Sequence, residues 1–379
     1  MKNYILKLIL IFPLIIYCTE NNNITDNKFP FRKISDMLFS TTVYPTKTKN
    51  IKVNRDYGAS NVLLVGNKGD FDISILIKFN LETDLKLITE AKMLIFPAAY
   101  DDELTEEFEA SIYEIISDWD TENIDNLQIN PTAVSSYIVN SSKAEPDSII
   151  IPPGLVQKWN NDTTYNKGVM ISSNDGNFVK RYYAIGGGGN MSFLKVKGET
   201  DSGDERTIEV LPIRDTYIAK SSVQPAPDEL VVDDLSVYRT AIRFDTINVP
   251  ENATINMARL ELSFKPDDSF LQGENSDNIL GFLITTYTLD ADEIEFDSDN
   301  ITGIQQHIGL TDSNKVYMNI TNVVQQWVSD IYENYGLILV SYTEGSGTGK
   351  YVFNLNKINQ QEPIILKIEY TVIEAEGNF

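Results

Sequence analysis

An internal duplication constrains the fold of this chain more than any other feature. Two stretches, "GLVQKWNNDTTYNKGVMISSN" and "NVVQQWVSDIYENYGLILVSY", both read Val-Gln-X-Trp, then eight residues, then a glycine and an aliphatic run. Trp159 and Trp327 are 168 positions apart, and so are Gly168 and Gly336. A match at one fixed spacing predicts that the chain contains two copies of the same structural unit.

Other blocks repeat in the same order and at nearly the same spacing. "VYPTKTKNI" matches "VLPIRDTYI", "ILIKFN" matches "TAIRFD", "EAKMLIF" matches "MARLELSF", and "FLKVKG" matches "ILKIEY". Between the copies lies "GETDSGDER" (198–206), which contains no apolar residue and is typical of a junction. The sequence therefore predicts two domains, residues 41–200 and residues 206–373.

Apolar and polar residues alternate within the matched blocks. In "RLELSF" every second residue is apolar, and "TAIRF" alternates in the same way. A period of two over short runs rich in Val, Ile, Tyr and Phe indicates half-buried strands, whereas "YGLILVSY" and "PIILKIEY" are continuous enough for central strands. Long helical patterns are missing. These patterns predict an all-β protein with two tandem jelly-roll-like β-sandwich domains.

The Val-Gln-X-Trp block departs from this period of two. Val323, Val324 and Trp327 recur at helical spacing, and Thr321 or Asn322 belongs to the residue types that cap helix N-termini. We therefore predict one or two helical turns in each copy. Because its apolar neighbours lie on the same helical face, the tryptophan is expected in the core rather than exposed for stacking on a sugar.

The N-terminal segment resembles a bacterial lipoprotein signal. In "MKNYILKLILIFPLIIYC" two lysines precede an apolar core that ends at Cys18, the single cysteine, and Tyr17 stands where a small residue is usual. The core is too short to span a membrane, which takes about 20 helical residues, and it suits a secretory signal. We predict a signal at residues 1–18, a flexible linker at residues 19–40 and lipidation of Cys18; an ordinary cleaved signal with an incidental cysteine is the alternative.

The composition argues against several classes of function. A formal net charge of −24 repels nucleic-acid phosphates, so no nucleic-acid partner is expected. One cysteine and one histidine, His307, cannot form a Cys/His zinc site, and no nucleophile motif accompanies His307. The chain is therefore predicted to have no catalytic residues, no metal ligands and no cofactor.

Two carboxylate-rich stretches keep one exception open. "DDELTEEFE" (101–109) and "DADEIEFDSDN" (290–300) carry many oxygen ligands but lack the spacing of a calcium-binding loop, so bound calcium is an open alternative. The glycine-rich "AIGGGGN" (184–190) lacks the Lys-Ser/Thr and the helix of a phosphate-binding loop, and it is interpreted as a plain connection.

Taken together, the blocks resemble the DNRLRE-type domain, a family that overlaps carbohydrate-binding module family 96. The resemblance rests on "VLPIRDTYI", "YGASNVLLVG" (57–66), the "IRF" strand, "VQQW" with "NYGLIL", and "PIILKIEY", and it covers both copies. It implies a β-sandwich of secreted and surface bacterial proteins, often found beside polysaccharide-degrading enzymes. The family usually has Trp-Thr-Glu after its middle strands, where the first copy reads "DWDTE" (118–122) and the second "DADEIEF".

These observations lead to one main functional hypothesis. The protein is expected to be an exported, non-catalytic lipoprotein of the outer membrane or cell surface, otherwise secreted or periplasmic, that binds a polysaccharide or glycan through its tandem sandwiches. The carbohydrate-binding residues are not identified by the sequence, and they are expected in loops where the copies differ. The alternative is a structural or adhesive surface protein whose domains contact other proteins.

Overall fold

The computed structural model describes residues 38–53, 57–98, 107–120, 124–142, 144–173, 178–235, 238–270, 279–286, 289, 294–302, 314–357 and 360–372. Cys18 and His307 lie outside these ranges. Residues Phe39–Phe379 form one compact unit, distinct from Met1–Leu38.

Both copies contain the same elements in the same order. The first contributes β1 (Leu38–Val43), β2 (Lys47–Lys52), β3 (Val62–Lys68), β4 (Phe71–Phe79), β5 (Leu85–Ile95), β6 (Phe108–Glu114), β7 (Ser135–Val139), β8 (Asp147–Ile150), α1 (Pro153–Asn161), β9 (Val169–Ser173), β10 (Val179–Tyr183) and β11 (Phe193–Thr200). The second contributes β12 (Glu205–Val210), β13 (Pro212–Ser221), β14 (Glu229–Asp233), β15 (Tyr238–Arg243), β16 (Ala253–Ser263), β17 (Ile279–Ile284), β18 (Phe296–Thr302), β19 (Lys315–Asn319), α2 (Thr321–Val328), β20 (Leu337–Ser341), β21 (Lys350–Asn354) and β22 (Ile364–Val372). The all-β prediction with one short helix per copy is confirmed.

Each copy forms a two-layer sandwich with interleaved, jelly-roll-like strand order. In the first, one sheet runs β10-β3-β4-β9-β6-β7, with β13 also paired to β4, and the other runs β12-β11-β5-β8. In the second, the corresponding sheets run β18-β17-β20-β15-β2 and β1-β22-β16-β19, with a β14-β21 ribbon. The chain crosses between the layers several times in each copy, as from β4 to β5 and from β8 to β9, and the inner faces of both layers bury apolar side chains.

The opening strands are exchanged between the copies. β13 of the second copy pairs antiparallel with β4 of the first, from Pro212↔Phe79 to Ser221↔Phe71, and β12 pairs with β11. Reciprocally, β2 of the first copy pairs with β15, and β1 lies beside β22. The boundaries 41–200 and 206–373 thus mark the repeat along the chain, while each sandwich contains two strands from across the junction.

The junction itself is the turn of a β-hairpin. β11 and β12 pair from Leu194↔Val210 to Glu199↔Glu205, so the polar "GETDSGDER" segment forms the hairpin end. β12 therefore joins the first sandwich directly after β11, and no long connection is needed between the two strands.

The repeated tryptophan block has the architectural role that the sequence predicts. Trp159 is 1% exposed in the first core, and Trp327 is 8% exposed in the second. The capping prediction for α2 is wrong: Ile320 precedes the helix without a side-chain cap, because the Thr321 hydroxyl accepts the Ala258 N–H at 2.9 Å and donates to Asn319 at 2.6 Å. Thr321 thereby ties the helix to β16.

The repeated glycine has a steric cause. Gly168 and Gly336 have φ angles of 93° and 102°, a region open mainly to glycine. A Cβ at Gly168 would lie 2.4 Å from the Ile77 carbonyl oxygen, and one at Gly336 would lie 2.4 Å from that of Ile242. Glycine thus allows the central strand of each sandwich to start directly against its neighbour.

Candidate ligand-binding face

The exchanged strands place like charges opposite each other at the same point of both sandwiches. Arg214 of β13 is the register partner of Lys78 in β4, and Lys47 of β2 is the register partner of Arg243 in β15. Like charges directly opposite each other destabilise a sheet. Their presence in both copies of an acidic chain therefore marks these positions as candidates for binding an anion.

In the first sandwich a third cation joins the pair. Lys167 precedes β9 and forms an ion pair with Asp118 at 2.6 Å. Partial burial, followed by the nearby charges of Lys167 and Arg214, lowers the pKa of Lys78. We call Lys78, Lys167 and Arg214, with Trp119 beside them, the basic face.

Trp119 gives the basic face a fixed aromatic wall. It is 5% exposed, its indole Nε1 donates to the Lys167 carbonyl at 2.7 Å, and it packs with Leu76 and Met170 in a small cluster. The Arg214 guanidinium lies 5.5 Å from the ring centroid and donates to the Trp119 carbonyl. The tryptophan therefore holds two of the three cations in place.

A second aromatic side chain extends the face along the chain. Tyr165, two residues before Lys167, is 53% exposed, and the Lys158 ammonium lies 5.0 Å from its ring centroid. Lys158 also pairs with Glu114 at 2.8 Å. An exposed ring beside the Lys158 ammonium provides apolar and charged contacts together, as sites for charged sugars require.

In the second sandwich, a neighbouring carboxylate offsets the positive charge at the corresponding position. Arg243 lies 2.6 Å from Asp245. Tyr335 stands where the first copy has Lys167, and its hydroxyl donates to Glu333 at 2.5 Å. The two copies therefore share the paired cations of the exchanged strands but differ in the neighbouring loop.

A separate groove of about 540 Å³ lies where β12 and β13 meet the β4–β5 connection. It is lined by Asn80, Glu82, Thr83, Asp84 and the segment 208–213. Leu211 and Ile213 are 55% and 56% exposed there. This groove combines acidic and apolar groups and has a character opposite to that of the basic face.

The segments singled out from the sequence lie in different parts of the structure, and some of their residues are outside the described ranges. The glycine-rich segment 184–190 packs beside β13, where the Ile185 N–H donates to Asp215 at 2.8 Å. In 118–122, Asp118 and Trp119 belong to the basic face, and Thr121 and Glu122 lie outside the described residues. The acidic stretches 101–109 and 290–300 are described only in part, and the described carboxylates nowhere gather in a group of three suited to a metal ion.

The sequence reasoning missed Lys78, Lys167 and Arg214. For Lys78 and Arg214 a signal is present, because the matched blocks "ILIKFN" with "TAIRFD" and "PTKTKNI" with "PIRDTYI" carry a basic residue at the same position in both copies. Lys167 has no basic counterpart in the second copy.

No helix among the described residues has the length and apolar character needed to cross a membrane. Compared with known proteins, the chain matches no family model and no curated sequence.

Proposed function

We propose that this protein is a non-catalytic binding protein for acidic polysaccharide, and that the basic face of the first sandwich is its principal contact. The proposal is carried by the like-charged pair Lys78–Arg214, reinforced by Lys167, in a chain with a net charge of −24. The resemblance to carbohydrate-binding module family 96 supports a polysaccharide as the ligand.

Electrostatics indicate which ligand group fits the basic face. The Lys78 ammonium makes no hydrogen bond or ion pair within the described part of the chain. A carboxylate or sulfate placed between Lys78 and Arg214 would relieve their mutual repulsion and gain charge-assisted hydrogen bonds. The exposed ring of Tyr165 supplies a surface on which a sugar ring can pack.

Replacing Lys78 with alanine tests this site. We expect about a tenfold loss of affinity for a carboxylated or sulfated polysaccharide, corresponding to about 1.4 kcal/mol, and a weaker dependence of binding on salt. Affinity electrophoresis in gels containing alginate, polygalacturonate or dextran sulfate measures the change, with a neutral dextran gel for reference.

Lys195→Ala is the matched control, because Lys195 is an exposed cation of the same sandwich on the other sheet. It should bind like the parent chain. Equal losses in both variants would reduce the effect to overall charge, and retention of the parent on none of the gels would favour the structural or adhesive alternative. Under that alternative, the groove with exposed Leu211 and Ile213 is the candidate surface for contact with another protein.

The proposal includes export and lipid anchoring through Cys18. The apolar segment before Cys18 and the Asn-rich stretch after it support a surface lipoprotein whose acyl chains hold it on a membrane. Cys18→Ala is expected to shift the protein from the membrane fraction to the soluble fraction of its host. Unchanged fractionation of Cys18→Ala would count against lipidation and leave the ordinary signal as the explanation.

A further inference from the structure

We propose that each sandwich is an acceptor for the first two strands of another repeat, so that neither repeat is an independent domain. In this protein the partner repeat is supplied by the same chain. For a single repeat the fitting partner would be a second copy of itself, joined by the same exchange.

The first sandwich depends on β13 for both its sheet and its core. β13 pairs with β4 over the whole length of β4. Tyr217 of β13 is fully buried in the first core, and its ring lies 4.5 Å from that of Tyr57. Without β13, β4 would expose a long edge of unpaired N–H and C=O groups, and the core would lose one of its large side chains.

The second sandwich depends on β2 in the equivalent way. β2 pairs with β15 from Lys52↔Tyr238 to Lys47↔Arg243. Asn50, at the position of Tyr217, donates to the Glu229 carbonyl and accepts the Val231 N–H, both at 2.8 Å. Asn50 therefore joins β14 to the exchanged strand as well as filling a site in the sheet.

Hydrogen bonds and an ion pair along the seam between the two sandwiches add to the exchange. The Tyr217 hydroxyl donates to the Gly345 carbonyl at 2.8 Å, and the Ser60 hydroxyl donates to the same carbonyl at 3.0 Å. Lys350 pairs with Asp70 at 2.6 Å. In each case one partner lies in the first sandwich and the other in the second, so the two sandwiches share one seam.

Because the exchange is reciprocal, it indicates which features of a strand pair each acceptor site recognises. β12–β13 reaches the first sandwich directly from β11, whereas β1–β2 reaches the second sandwich from the opposite end of the chain. Acceptance therefore does not require that donor and acceptor be neighbours in sequence. Backbone pairing and the pattern of buried side chains define the fit, as in other cases of strand addition.

Cutting the full chain at the junction tests the proposal. A protease site is inserted in the exposed turn between β11 and β12, at residues 201–204, in a Cys18→Ala background. After cleavage, size-exclusion chromatography with light scattering should show both fragments eluting together at the mass of the uncut chain. Two separate folded fragments would overturn the proposal.

A disulfide pair shows whether the fragments are held by exchange. Asp72 and Lys220 are register partners on β4 and β13, and both are exposed. After oxidation and cleavage, Asp72→Cys/Lys220→Cys should run at full-chain mass on a non-reducing denaturing gel.

The control Lys92→Cys/Lys195→Cys joins register partners within the first fragment and should release the second fragment. If the control disulfide forms and the Asp72–Lys220 disulfide does not, β13 does not occupy the first sandwich and the proposal fails.

Discussion

Replacing Lys180 with methionine is expected to destabilise the protein by about 3–5 kcal/mol, the usual cost of breaking a buried ion pair from one side. The Lys180 ammonium lies 2.8 Å from Asp147, and both side chains are almost fully buried in the first sandwich. Methionine fills a similar volume but leaves the Asp147 carboxylate without its counter-charge.

The surroundings of Asp147 cannot replace that charge. The Tyr182 hydroxyl donates to Asp147 at 2.5 Å, and the Asn140 N–H donates to it at 3.0 Å. Burial raises the pKa of the Tyr182 and Tyr137 hydroxyls well above their ordinary value, so both remain neutral donors. Lys180 is therefore the cation on which the network depends.

The second repeat supplies the matched control. At the equivalent strand positions, Tyr351 replaces Lys180 and Val316 replaces Asp147, and both are buried without charge. We therefore expect Lys180→Met/Asp147→Val to recover most of the stability that Lys180→Met loses. Urea unfolding followed by tryptophan fluorescence measures both variants, and a Lys180→Met midpoint equal to that of the parent would contradict the prediction.

Replacing Asp215 with asparagine is expected to raise stability at neutral pH by an amount on the order of 3 kcal/mol. Asp215 lies on the exchanged strand β13, 8% exposed, and accepts the Ile185 N–H at 2.8 Å. Burial raises its pKa from 3.8 to about 6, and the single backbone hydrogen bond opposes the shift only in part. Asparagine keeps an acceptor for Ile185 and carries no charge.

The sign of the pH dependence follows from the raised pKa. Between about pH 4 and pH 6 the folded protein holds a proton on Asp215 that the unfolded chain releases. The contribution of this proton to stability is complete below about pH 4 and is lost as the pH rises through 6. The stability difference between Asp215→Asn and the parent should therefore be small near pH 4 and large at pH 7.5.

Denaturant unfolding of both proteins at several pH values checks this difference. Glu209→Gln is the control, because Glu209 is an exposed carboxylate on the neighbouring exchanged strand. It should show no such rise between pH 4 and pH 7.5. A constant difference between Asp215→Asn and the parent across the range would show that folding does not raise the pKa of Asp215.

The sequence predicts the composition of each sandwich but not which repeat supplies each strand. Alternation such as that in "RLELSF" specifies which face of a strand is buried, and the fixed spacing of Trp159 and Trp327 specifies that the set of elements occurs twice. Alternation does not specify the neighbour across a sheet. Because β2 and β13 descend from matching blocks, either can pair with β4 or β15 by pattern alone, and tertiary packing decides.

The sequence did not predict the basic face, because this face also depends on which repeat supplies each strand. Lys78, Lys167 and Arg214 are widely separated in sequence, and the pairing of Lys78 with Arg214 exists only because β13 crosses into the first sandwich. Trp119 was visible in "DWDTE" as part of a family motif, but its contact with Arg214 depends on the same exchange. A site assembled by exchange becomes apparent only when the register of the exchanged strand is known.

The position of β1 beside β22 determines how the protein responds to mechanical load. These are the first and last strands of the described chain, and they are neighbours in one sheet of the second sandwich; the Phe39 and Tyr370 rings stack between them with centroids 5.5 Å apart. A pull between the two ends acts on this strand contact first. The basic face, built on β4 and β13, lies in the first sandwich, away from that contact, so we expect it to keep its shape while the terminal strands carry the tension.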